Sequence, residues 1–311
     1  MKASRSTVDV VRDALSGFDG TVAITGATGW LGCVALDLLY GALGEAAPEH
    51  VVGYASSSRH VTVADGRVAP VLPLAALPEQ DPVPAAVLHF AFLTPDRLAA
   101  MGPADYAARN RAITGTVVTA VHAHRPAWLV VASSGAVYGA AGASGAHPYV
   151  DLKREAEQLL QATAAEVGTA CVVPRIFSLA GPRLPRGGMY ALGDMLEMAA
   201  AGGPITIRAG HEVHRAYSGA DEVVALAVSA AARGQSLVFD TSGEDVELGD
   251  LAARVARAYG LGGDAVRRGP VDGRGADVYV GEGGAMRALA DEAGLTLSSL
   301  DDLIRASVPG A

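Results

Sequence analysis

The sequence predicts an α/β protein in which a doubly wound, mostly parallel sheet precedes a smaller C-terminal lobe. Short apolar runs alternate with helical segments through residue 175, which is typical of parallel strands covered by helices on both faces. Beyond Ile176 this regularity ends, and residues 181–188 are rich in glycine, proline and arginine. We therefore place the sheet domain at residues 1–175 and the second lobe mainly at residues 176–311.

Each predicted strand is a short apolar run bounded by turn residues, and the longer segments between these runs are predicted helices. The six strands of the first domain are Val22–Thr25, Val51–Tyr54, Val68–Leu72, Ala86–Phe90, Trp128–Val131 and Ala170–Val173. The helices are Val8–Leu15, Trp30–Leu43, Pro103–His122 and Pro148–Val167. A later run, Leu237–Asp240, is predicted to return to the sheet. Gly281–Gly284 follows no recognisable strand and indicates a loop.

Charge and composition narrow the classes of partner and compartment. The chain has 24 Lys and Arg against 33 Asp and Glu, a net charge of −9, and its arginines are scattered. A nucleic-acid partner needs a concentrated basic face, so we expect none, whereas one or two arginines suffice for a diphosphate ligand.

Residues 1–20 are polar and unlike a secretory signal, and Cys33 and Cys171 lie far apart in apolar runs. Two reduced thiols and a cytoplasmic location are expected.

Thr21–Gly44 raises the question of a membrane span, because Asp37 is its single charged residue. Its five glycines and the polar turn at residues 25–28 instead predict a buried strand, a tight turn and a buried helix. We therefore expect a soluble protein without membrane association.

Paired histidines raise the question of a metal site. His122 and His124 lie two residues apart, and His211 and His214 lie three apart. No carboxylate or cysteine completes either pair at a recognisable ligand spacing. No metal site is therefore predicted.

A glycine turn lies directly after the first predicted strand and before a predicted helix. Its glycines recur at a spacing of three, which lets the backbone approach a pyrophosphate whose charge meets free N–H groups at the helix start. The alternative is a tight turn that only packs the helix on the strand. The context favours a Rossmann-type dinucleotide-binding domain. Its predicted cofactor contacts are Gly26, Thr28, Gly29, Trp30, Leu31 and Gly32.

The loop after the second strand bears on which dinucleotide is bound. An acidic residue there holds the adenosine ribose of NAD, whereas an arginine accommodates the 2′-phosphate of NADP. No acid follows Tyr54 before Asp65, and Ser56, Ser57 and Arg59 supply hydroxyls and a cation. These three residues favour NADP(H), with NAD as the alternative cofactor and an ordinary solvated loop as the other interpretation.

Tyr149 and Lys153 are the main candidates for chemistry. The chain has two lysines, Lys2 and Lys153, so an internal lysine is unusual here. The i, i+4 spacing at the start of a predicted helix puts both side chains on one face. An ammonium beside a phenol lowers its pKa from about 10 towards the range of acid/base catalysis. The alternative is a surface helix pair without a chemical role.

Ser134 lies at the end of the fifth predicted strand. The carboxyl ends of parallel strands form the ligand-binding edge of open sheets, and a serine there can polarise a substrate carbonyl or hydroxyl. The alternative is a strand-end cap or turn. We include Ser134 with Tyr149 and Lys153 as the predicted catalytic residues.

Together these motifs resemble those of the extended short-chain dehydrogenases/reductases, which include sugar-nucleotide epimerases, dehydratases and reductases. The matching segments are Thr25–Gly32, Val87–Ala91, Asn110, Ser133–Gly139, Tyr149–Lys153, Pro174–Phe177, Gly181–Pro182, Arg215–Tyr217 and Asp221. The resemblance implies that Tyr149 is the general acid/base and that Ser134 contacts the reacting oxygen. It also implies that Lys153 binds the nicotinamide ribose and tunes Tyr149.

The resemblance further implies binding residues at the matching positions. The expected cofactor contacts are Ala91, Asn110, Tyr149, Lys153 and Pro174. Arg215 is expected to bind the diphosphate of the substrate, with a buried structural arginine as the alternative. Ser178 is included as a substrate contact, at a place where the family often has asparagine.

One departure from the family narrows the activity. The 4,6-dehydratases usually carry an Asp-Glu pair where this chain has Gly135-Ala136, so elimination of water is unsupported. We therefore expect an NADP(H)-dependent reductase of a 4-keto group on a nucleoside-diphosphate sugar. The alternatives are an NAD-dependent epimerase and a non-catalytic dinucleotide sensor, against which the intact serine, tyrosine and lysine set counts. A homodimer through Pro103–His122 and Pro148–Val167 is expected, because relatives often dimerise through these helices.

Overall fold

The computed structural model describes residues 5–139, 148–188, 190–273 and 275–308. Its helices are α1 (Thr7–Ala14), α2 (Trp30–Leu43), α3 (Ala47–His50), α4 (Arg97–Met101), α5 (Pro103–His124), α6 (Pro148–Val167), α7 (Ala191–Ala200), α8 (Ala220–Ala232), α9 (Leu248–Ala258), α10 (Gly284–Ala293) and α11 (Leu300–Ala306). Short 3-10 helices cover Gly44–Ala46, Leu74–Glu79, Gly135–Tyr138 and Gly263–Ala265. Its strands are β1 (Thr21–Thr25), β2 (Val51–Ala55), β3 (Arg59–Thr62), β4 (Val68–Pro73), β5 (Pro84–His89), β6 (Trp128–Val131), β7 (Ser133–Ser134), β8 (Ala170–Ile176), β9 (Ser178–Ala180), β10 (Ile205–Ile207), β11 (Val213–Gly219), β12 (Leu237–Asp240), β13 (Glu244–Glu247), β14 (Val266–Arg268) and β15 (Asp277–Tyr279).

The large sheet has the strand order β12-β8-β6-β5-β1-β2-β4-β3, and β7 extends it by pairing with β8. These pairs are parallel except β3 with β4. The predicted α/β class with a large parallel sheet is confirmed. The sequence pattern does not predict β3, because Arg59–Thr62 is mostly exposed and contains no apolar run.

The order in which strands are added to the sheet reverses at β1. Strands β2 and β4 lie on one side of β1, whereas β5, β6, β8 and β12 lie on the other. In open parallel sheets, ligands bind outside the carboxyl ends of the strands at such a switch point. The turn after β1 and the segment after β5 therefore form the expected floor of a site.

Helix α2 packs in the core behind this switch point. Its side chains Leu36, Leu39 and Tyr40 are buried in one cluster with residues of β1, α1 and α8. The stretch Trp30–His50 is long and apolar enough to cross a membrane by length and composition alone. Half of its apolar window is buried inside the fold, which is typical of a core helix. The cytoplasmic location stays a prediction.

The C-terminal lobe has its own core around α7, α9 and α11. Strand β11 pairs with β9, β13 and β15, and β10 pairs with β14. Leu192, Leu196, Leu251 and Ile304 are buried between these elements. Strand β12 instead pairs in parallel with β8 of the large sheet.

The sequence interpretation that no strand precedes Gly281–Gly284 was wrong, because β15 (Asp277–Tyr279) lies just before this segment. Strand β15 pairs in parallel with β11, and Tyr279 lies opposite Arg215. Asp277 and Val278 are exposed, so no apolar run marks the strand in the sequence. This short strand brings Tyr279 to the edge of the switch point.

Helices α5 and α6 pack side by side against the sheet. Arg111 of α5 pairs with Glu155 of α6 at 2.9 Å, and Leu159 of α6 is exposed. A homodimer through these helices stays a prediction.

Candidate active site

A cleft of about 610 Å³ lies at the switch point, between the carboxyl ends of the strands and the C-terminal lobe. The predicted site residues that line it are Gly26, Gly29, Trp30, Leu31, Gly32, Ser134, Tyr149, Lys153, Ser178 and Arg215. The structure therefore brings together the glycine turn, the predicted catalytic residues and the three predicted substrate contacts Ser134, Ser178 and Arg215.

The glycine turn after β1 has the geometry of a phosphate cradle. Gly26 has a φ of +71°, and a Cβ there would lie 2.7 Å from the backbone nitrogen of Ala91. A Cβ on Gly32 would overlap the Gly26 carbonyl oxygen and lie 2.7 Å from the Cα of Ala27. Helix α2 starts after Gly29, and no side chain in the described part of the chain caps its N–H groups. These groups are available to a pyrophosphate, so the residues present fit a dinucleotide.

Thr28, Ala91, Asn110 and Pro174 do not line the cleft. Thr28 is exposed, and Pro174 is buried within β8. Asn110 is buried on α5, where its side-chain oxygen accepts a hydrogen bond from the Leu93 N–H at 2.8 Å. Asn110 therefore fixes the segment after β5, and direct cofactor contacts by these four residues stay predictions.

Ser56, Ser57 and Arg59 also lie outside the cleft lining. All three are exposed, and the Arg59 guanidinium donates a hydrogen bond to the Ser57 hydroxyl at 2.9 Å. Arg59 begins the antiparallel edge strand β3 rather than lying in an open loop. Their assignment as cofactor contacts therefore rests on the sequence alone.

Tyr149 lies in the first turn of α6, and its ring packs edge-on against Phe92 with the ring centroids 5.7 Å apart. Burial raises the pKa of Tyr149 to about 12, and a hydrogen bond with Ser134 opposes this rise. The phenol is therefore protonated at neutral pH in the free protein. It is also joined to the serine that was predicted to hold the reacting oxygen.

The Lys153 ammonium donates a hydrogen bond to the Ala132 carbonyl at 2.9 Å and lies 4.0 Å from the centroid of the Phe92 ring. Burial lowers the pKa of Lys153 to about 7, and the charge of Glu157 opposes this fall. The expected lowering of the Tyr149 pKa is not seen in the free protein, because burial of the phenol dominates. Tuning by Lys153 stays a prediction for the cofactor-bound protein.

Glu157 is a buried carboxylate that no sequence motif singled out. It follows Lys153 by one helical turn, accepts a hydrogen bond from the Ser133 hydroxyl and pairs with Arg175 at 2.6 Å. A carboxylate is buried at acceptable cost only when it is paired and hydrogen-bonded. This network fixes α6 against β7 and β8. Glu157 follows Lys153 at the same i, i+4 spacing that separates Lys153 from Tyr149, so extending that pattern along the helix would have identified Glu157.

A second tyrosine, which the sequence motifs missed, reaches Ser134 from the C-terminal lobe. The Tyr279 hydroxyl lies 3.3 Å from the Ser134 Oγ and 3.3 Å from the carbonyl oxygen of Ile176, to which it can donate a hydrogen bond. Its ring packs against Phe177 with the ring centroids 4.7 Å apart. Two tyrosines from different parts of the fold therefore meet at one serine.

Arg215 lies on β11, at the side of the cleft formed by the lobe. Its guanidinium donates hydrogen bonds to the Asp277 carboxylate at 2.8 Å and to the Asp277 carbonyl at 3.1 Å. The carbon of the guanidinium lies 5.8 Å from the centroid of the Tyr279 ring. The hydrogen bond from Arg215 lowers the pKa of the Asp277 carboxyl. A guanidinium has five N–H donors, so Arg215 can serve Asp277 and a phosphate together.

Solved structures of low sequence identity share this fold. UDP-N-acetylglucosamine 4-epimerase from Methanobrevibacter ruminantium, in complex with UDP-N-acetylmuramic acid, has 17% identity and a TM-score of 0.73, and the match covers 93% of this chain and 97% of that one. UDP-glucose 4-epimerase from Thermus thermophilus, in complex with NAD, has 20% identity and a TM-score of 0.70 over 92% and 97%. The DesIV double mutant (dTDP-glucose 4,6-dehydratase) from Streptomyces venezuelae, with NAD bound, has 18% identity and a TM-score of 0.69, and the match covers 92% of this chain and 95% of that one. None of the curated proteins matches the chain at a significant level.

The sequence itself matches the model of a protein family over most of its length. The match covers residues 22–249, from β1 into the first turn of α9, and includes the glycine turn and the serine, tyrosine and lysine of the cleft. The family is described as the NAD dependent epimerase/dehydratase family, which confirms the predicted resemblance to the extended short-chain dehydrogenases/reductases. This chain therefore belongs to the NAD-dependent epimerase/dehydratase family.

Proposed function

We propose that this protein interconverts an alcohol and a ketone on the sugar of a nucleotide-activated substrate, with NAD(H) as cofactor and epimerisation as the overall reaction. The observation that carries the proposal is the convergence of Ser134, Tyr149 and Lys153 on one cleft beside the glycine turn. Such a set supplies an acid/base group and an orienting hydroxyl next to a phosphate cradle.

A nicotinamide dinucleotide fits the cleft by its contacts with the chain. The glycine turn and the uncapped start of α2 would hold the pyrophosphate, and Lys153 would hold the nicotinamide ribose. When bound, this cofactor accepts a hydride and returns it. Gly26 and Gly32 have no room for a Cβ, so the tight path of the turn requires glycine at both positions.

Tyr149 would carry the proton at the reacting oxygen. During oxidation its phenolate oxygen takes the proton of the substrate hydroxyl, and during reduction its phenol returns that proton to the carbonyl oxygen. Ser134, which is hydrogen-bonded to Tyr149, would hold the same substrate oxygen. Lys153 would supply positive charge that favours the phenolate form.

Dehydration is not part of the proposal, because one of the two positions that carry the acids in dehydratases has no room for a side chain. A Cβ on Gly135 would lie 2.6 Å from the Phe177 ring. A carboxylic side chain at residue 135 would therefore have to displace that ring. The packing of Phe177 supports the inference, first drawn from Gly135-Ala136, that elimination of water is not the reaction.

Epimerisation is favoured over net reduction by two observations. Ser56, Ser57 and Arg59, which favoured NADP(H), lie outside the cleft lining. Two of the similar solved structures are 4-epimerases of UDP-sugars, and one of them carries NAD. Reduction of a 4-keto sugar nucleotide by NADPH is the second candidate. It is favoured by the hydroxyls of Ser56 and Ser57 and the cation of Arg59, which suit the 2′-phosphate of NADP.

The test is incubation of the purified protein with a panel of UDP- and dTDP-sugars, including UDP-glucose and UDP-N-acetylglucosamine, with catalytic NAD. We expect conversion to the 4-epimer, followed by proton NMR of the sugar ring, without net formation of NADH. Stoichiometric consumption of NADPH with a 4-keto sugar nucleotide would instead establish the reductase. Tight NAD binding without conversion of any panel member would favour the non-catalytic sensor.

Replacing Arg59 by alanine is expected to leave the Kd for NAD within about twofold of the original value, because its guanidinium contacts Ser57 and lies outside the cleft. We expect NAD to bind at least about tenfold more tightly than NADP in both proteins, as measured by calorimetry. Arg233→Ala, which removes an exposed arginine paired with Glu292, is the control. Tighter binding of NADP, lost by about 10- to 100-fold in the Arg59 variant, would make NADP the cofactor.

Replacing Arg215 by alanine is expected to raise the Kd for UDP by about 10- to 100-fold, because a charge-assisted hydrogen bond to a phosphate is worth about 1.5–3 kcal/mol. Binding is measured by calorimetry and stability by thermal unfolding. Arg254→Ala is a matched control, because the side chains of Arg215 and Arg254 are 23% and 24% exposed and each pairs with a carboxylate of the lobe. A lower Tm with unchanged UDP affinity would show that Arg215 only holds β15 in place.

A further inference from the structure

Trp30 connects the two parts of the fold at the cleft. It is the first residue of α2, directly after the glycine turn, and its indole N–H donates a hydrogen bond to the carbonyl oxygen of Pro182 at 2.8 Å. Its ring packs edge-on against Tyr190, with the ring centroids 5.3 Å apart. The Trp30 side chain packs against the core around α2 and also against the separate core of the C-terminal lobe. One side chain therefore joins the start of α2 to the lobe.

Pro182 begins the segment of residues 182–188 between β9 and α7, which we call the strap. Leu184 of the strap is buried in the core of the lobe. A Cβ on Gly193 of α7 would overlap the carbonyl oxygen of Pro185, so the helix and the strap are in close contact. The strap is therefore packed as part of the lobe, although its first residues reach α2.

Arg183 makes the second contact between the strap and α2. Its guanidinium pairs with the Asp37 carboxylate at 2.8 Å and donates a hydrogen bond to the Thr62 carbonyl oxygen at 2.8 Å. Arg183 has a φ of +60°, a left-handed backbone conformation that is uncommon in a residue with a side chain and persists where surrounding contacts hold it. Trp30 and Asp37 lie about two helical turns apart, so the strap is attached along one face of α2.

The strap is continuous with the strands beside Arg215. Strand β11, which carries Arg215, pairs in parallel with all three residues of β9. Strand β9 ends at Ala180, two residues before Pro182. The N–H of Gly181, which lies between them, donates a hydrogen bond to the Ser307 hydroxyl at 2.7 Å. A hydrogen-bonded path of fixed register therefore runs from the proposed diphosphate contact to the carbonyl that holds the Trp30 indole.

We propose that Trp30 is a positioning residue that couples the two ligands of the cleft, so that a nucleoside diphosphate held by the lobe and a dinucleotide held by the glycine turn each strengthen the binding of the other. The inference rests on the proposed function, which places the dinucleotide at the start of α2 and the substrate diphosphate at Arg215. It gives the Trp30 side chain a role that the glycine motif does not contain.

The coupling follows from what each ligand fixes. A pyrophosphate at the start of α2 fixes the turn that carries Trp30. A diphosphate at Arg215 fixes β11 and β9, and with them the strap that carries Pro182. The hydrogen bond between Trp30 and Pro182 is made in full only when both parts are fixed, so its free energy adds to the binding of the second ligand. Without this bond, the two parts respond independently.

The test measures the Kd for NAD by calorimetry without and with saturating UDP, and the Kd for UDP without and with saturating NAD. In a parallel series dTDP takes the place of UDP. We expect UDP to tighten NAD binding by about 3- to 10-fold, the range of one hydrogen bond, and NAD to tighten UDP binding by the same factor. Trp30→Phe removes the indole N–H and keeps an aromatic ring beside Tyr190, so this coupling factor should fall below about twofold.

Trp128→Phe is the matched control, because Trp128 is the other of the two tryptophans and its indole N–H has no hydrogen-bond partner within the described part of the chain. It should keep the full coupling factor, even where its Tm falls because the side chain is buried. Arg183→Ala breaks the second contact between the strap and α2, outside the cleft lining, and should also reduce the factor. A merely structural role would lower the Tm of these variants and leave the factor unchanged.

A coupling factor near one in the original protein, or an unchanged factor in Trp30→Phe, overturns the proposal, as does failure of both nucleotides to bind. A loss of about tenfold in the affinity for one ligand measured alone, with the factor unchanged, would make Trp30 a direct ligand contact and also overturns it. If the coupling depends on Trp30 and no sugar nucleotide is converted, the proposed reaction fails while the coupling stands.

Discussion

Replacing Tyr149 by phenylalanine is expected to lower turnover by about 10²- to 10⁴-fold, the range that a positioned acid/base group contributes. The ring packs edge-on against Phe92, and phenylalanine preserves that contact. The lost oxygen is the one that bonds Ser134 within the cleft. The fold and the glycine turn should therefore stay intact, and the Kd for NAD should change by less than about threefold.

The measurement is single-turnover interconversion of UDP-sugar epimers, with NAD affinity and Tm recorded for the same preparation. Tyr259→Phe removes a phenol oxygen from the C-terminal lobe outside the cleft and should keep full activity. Ser134→Ala should lose less activity than the Tyr149 variant, because it removes an orienting hydroxyl rather than the proton carrier. Full turnover in Tyr149→Phe, with either a UDP-sugar or a 4-keto sugar nucleotide, would refute the assignment.

The elements that the sequence predicts well are those whose apolar pattern is long and buried on both faces. All five residues of β1 are buried, and α2 has the predicted bounds Trp30–Leu43. The short strands β3 and β15 are not predictable in this way, because most of their residues are exposed and their pairing partners are not marked by any local pattern. Strand β3 begins at Arg59, which was predicted to contact the cofactor, and β15 carries Tyr279, which lines the cleft.

The candidate site shows the same limit. The glycine turn, Ser134, Tyr149 and Lys153 belong to local motifs, and each motif can be recognised without knowing its neighbours. The contact between Ser134 and Tyr279 joins residues 145 positions apart and depends on the register of β15 against β11. No local pattern encodes such a contact.

The pKa of Tyr149 shows why spacing alone does not determine chemistry. The i, i+4 spacing correctly places Lys153 in the same cleft, but the ammonium donates to the Ala132 carbonyl and faces the Phe92 ring. Burial therefore determines the phenol pKa in the free protein. Desolvation penalises any charged form, and its size depends on packing from the whole fold.

The glycine turn offers a graded series of substitutions. A Cβ on Gly32 would overlap the Gly26 carbonyl oxygen, whereas a Cβ on Gly29 would lie 3.3 Å from the same oxygen. A Cβ on Gly284, at the start of α10, would meet nothing within 4 Å. The atoms that a Gly32 side chain meets belong to the backbone, so the turn itself must shift. The relative positions of the N–H groups at the start of α2 would then change.

Gly32→Ala is therefore expected to weaken NAD binding by at least about 100-fold, since loss of two hydrogen bonds to a charged group costs about 3–6 kcal/mol. Gly29→Ala should distort the turn itself less, because a gap of 3.3 Å can be relieved by a shift of a few tenths of an ångström. Gly284→Ala should bind NAD normally and is the control for adding a methyl group to the first turn of a helix. Calorimetry gives the affinities, and circular dichroism with thermal unfolding shows whether each variant is folded. A folded Gly32→Ala protein with the original NAD affinity would show that the turn only packs α2 against β1, and the cofactor assignment would then lose its structural basis.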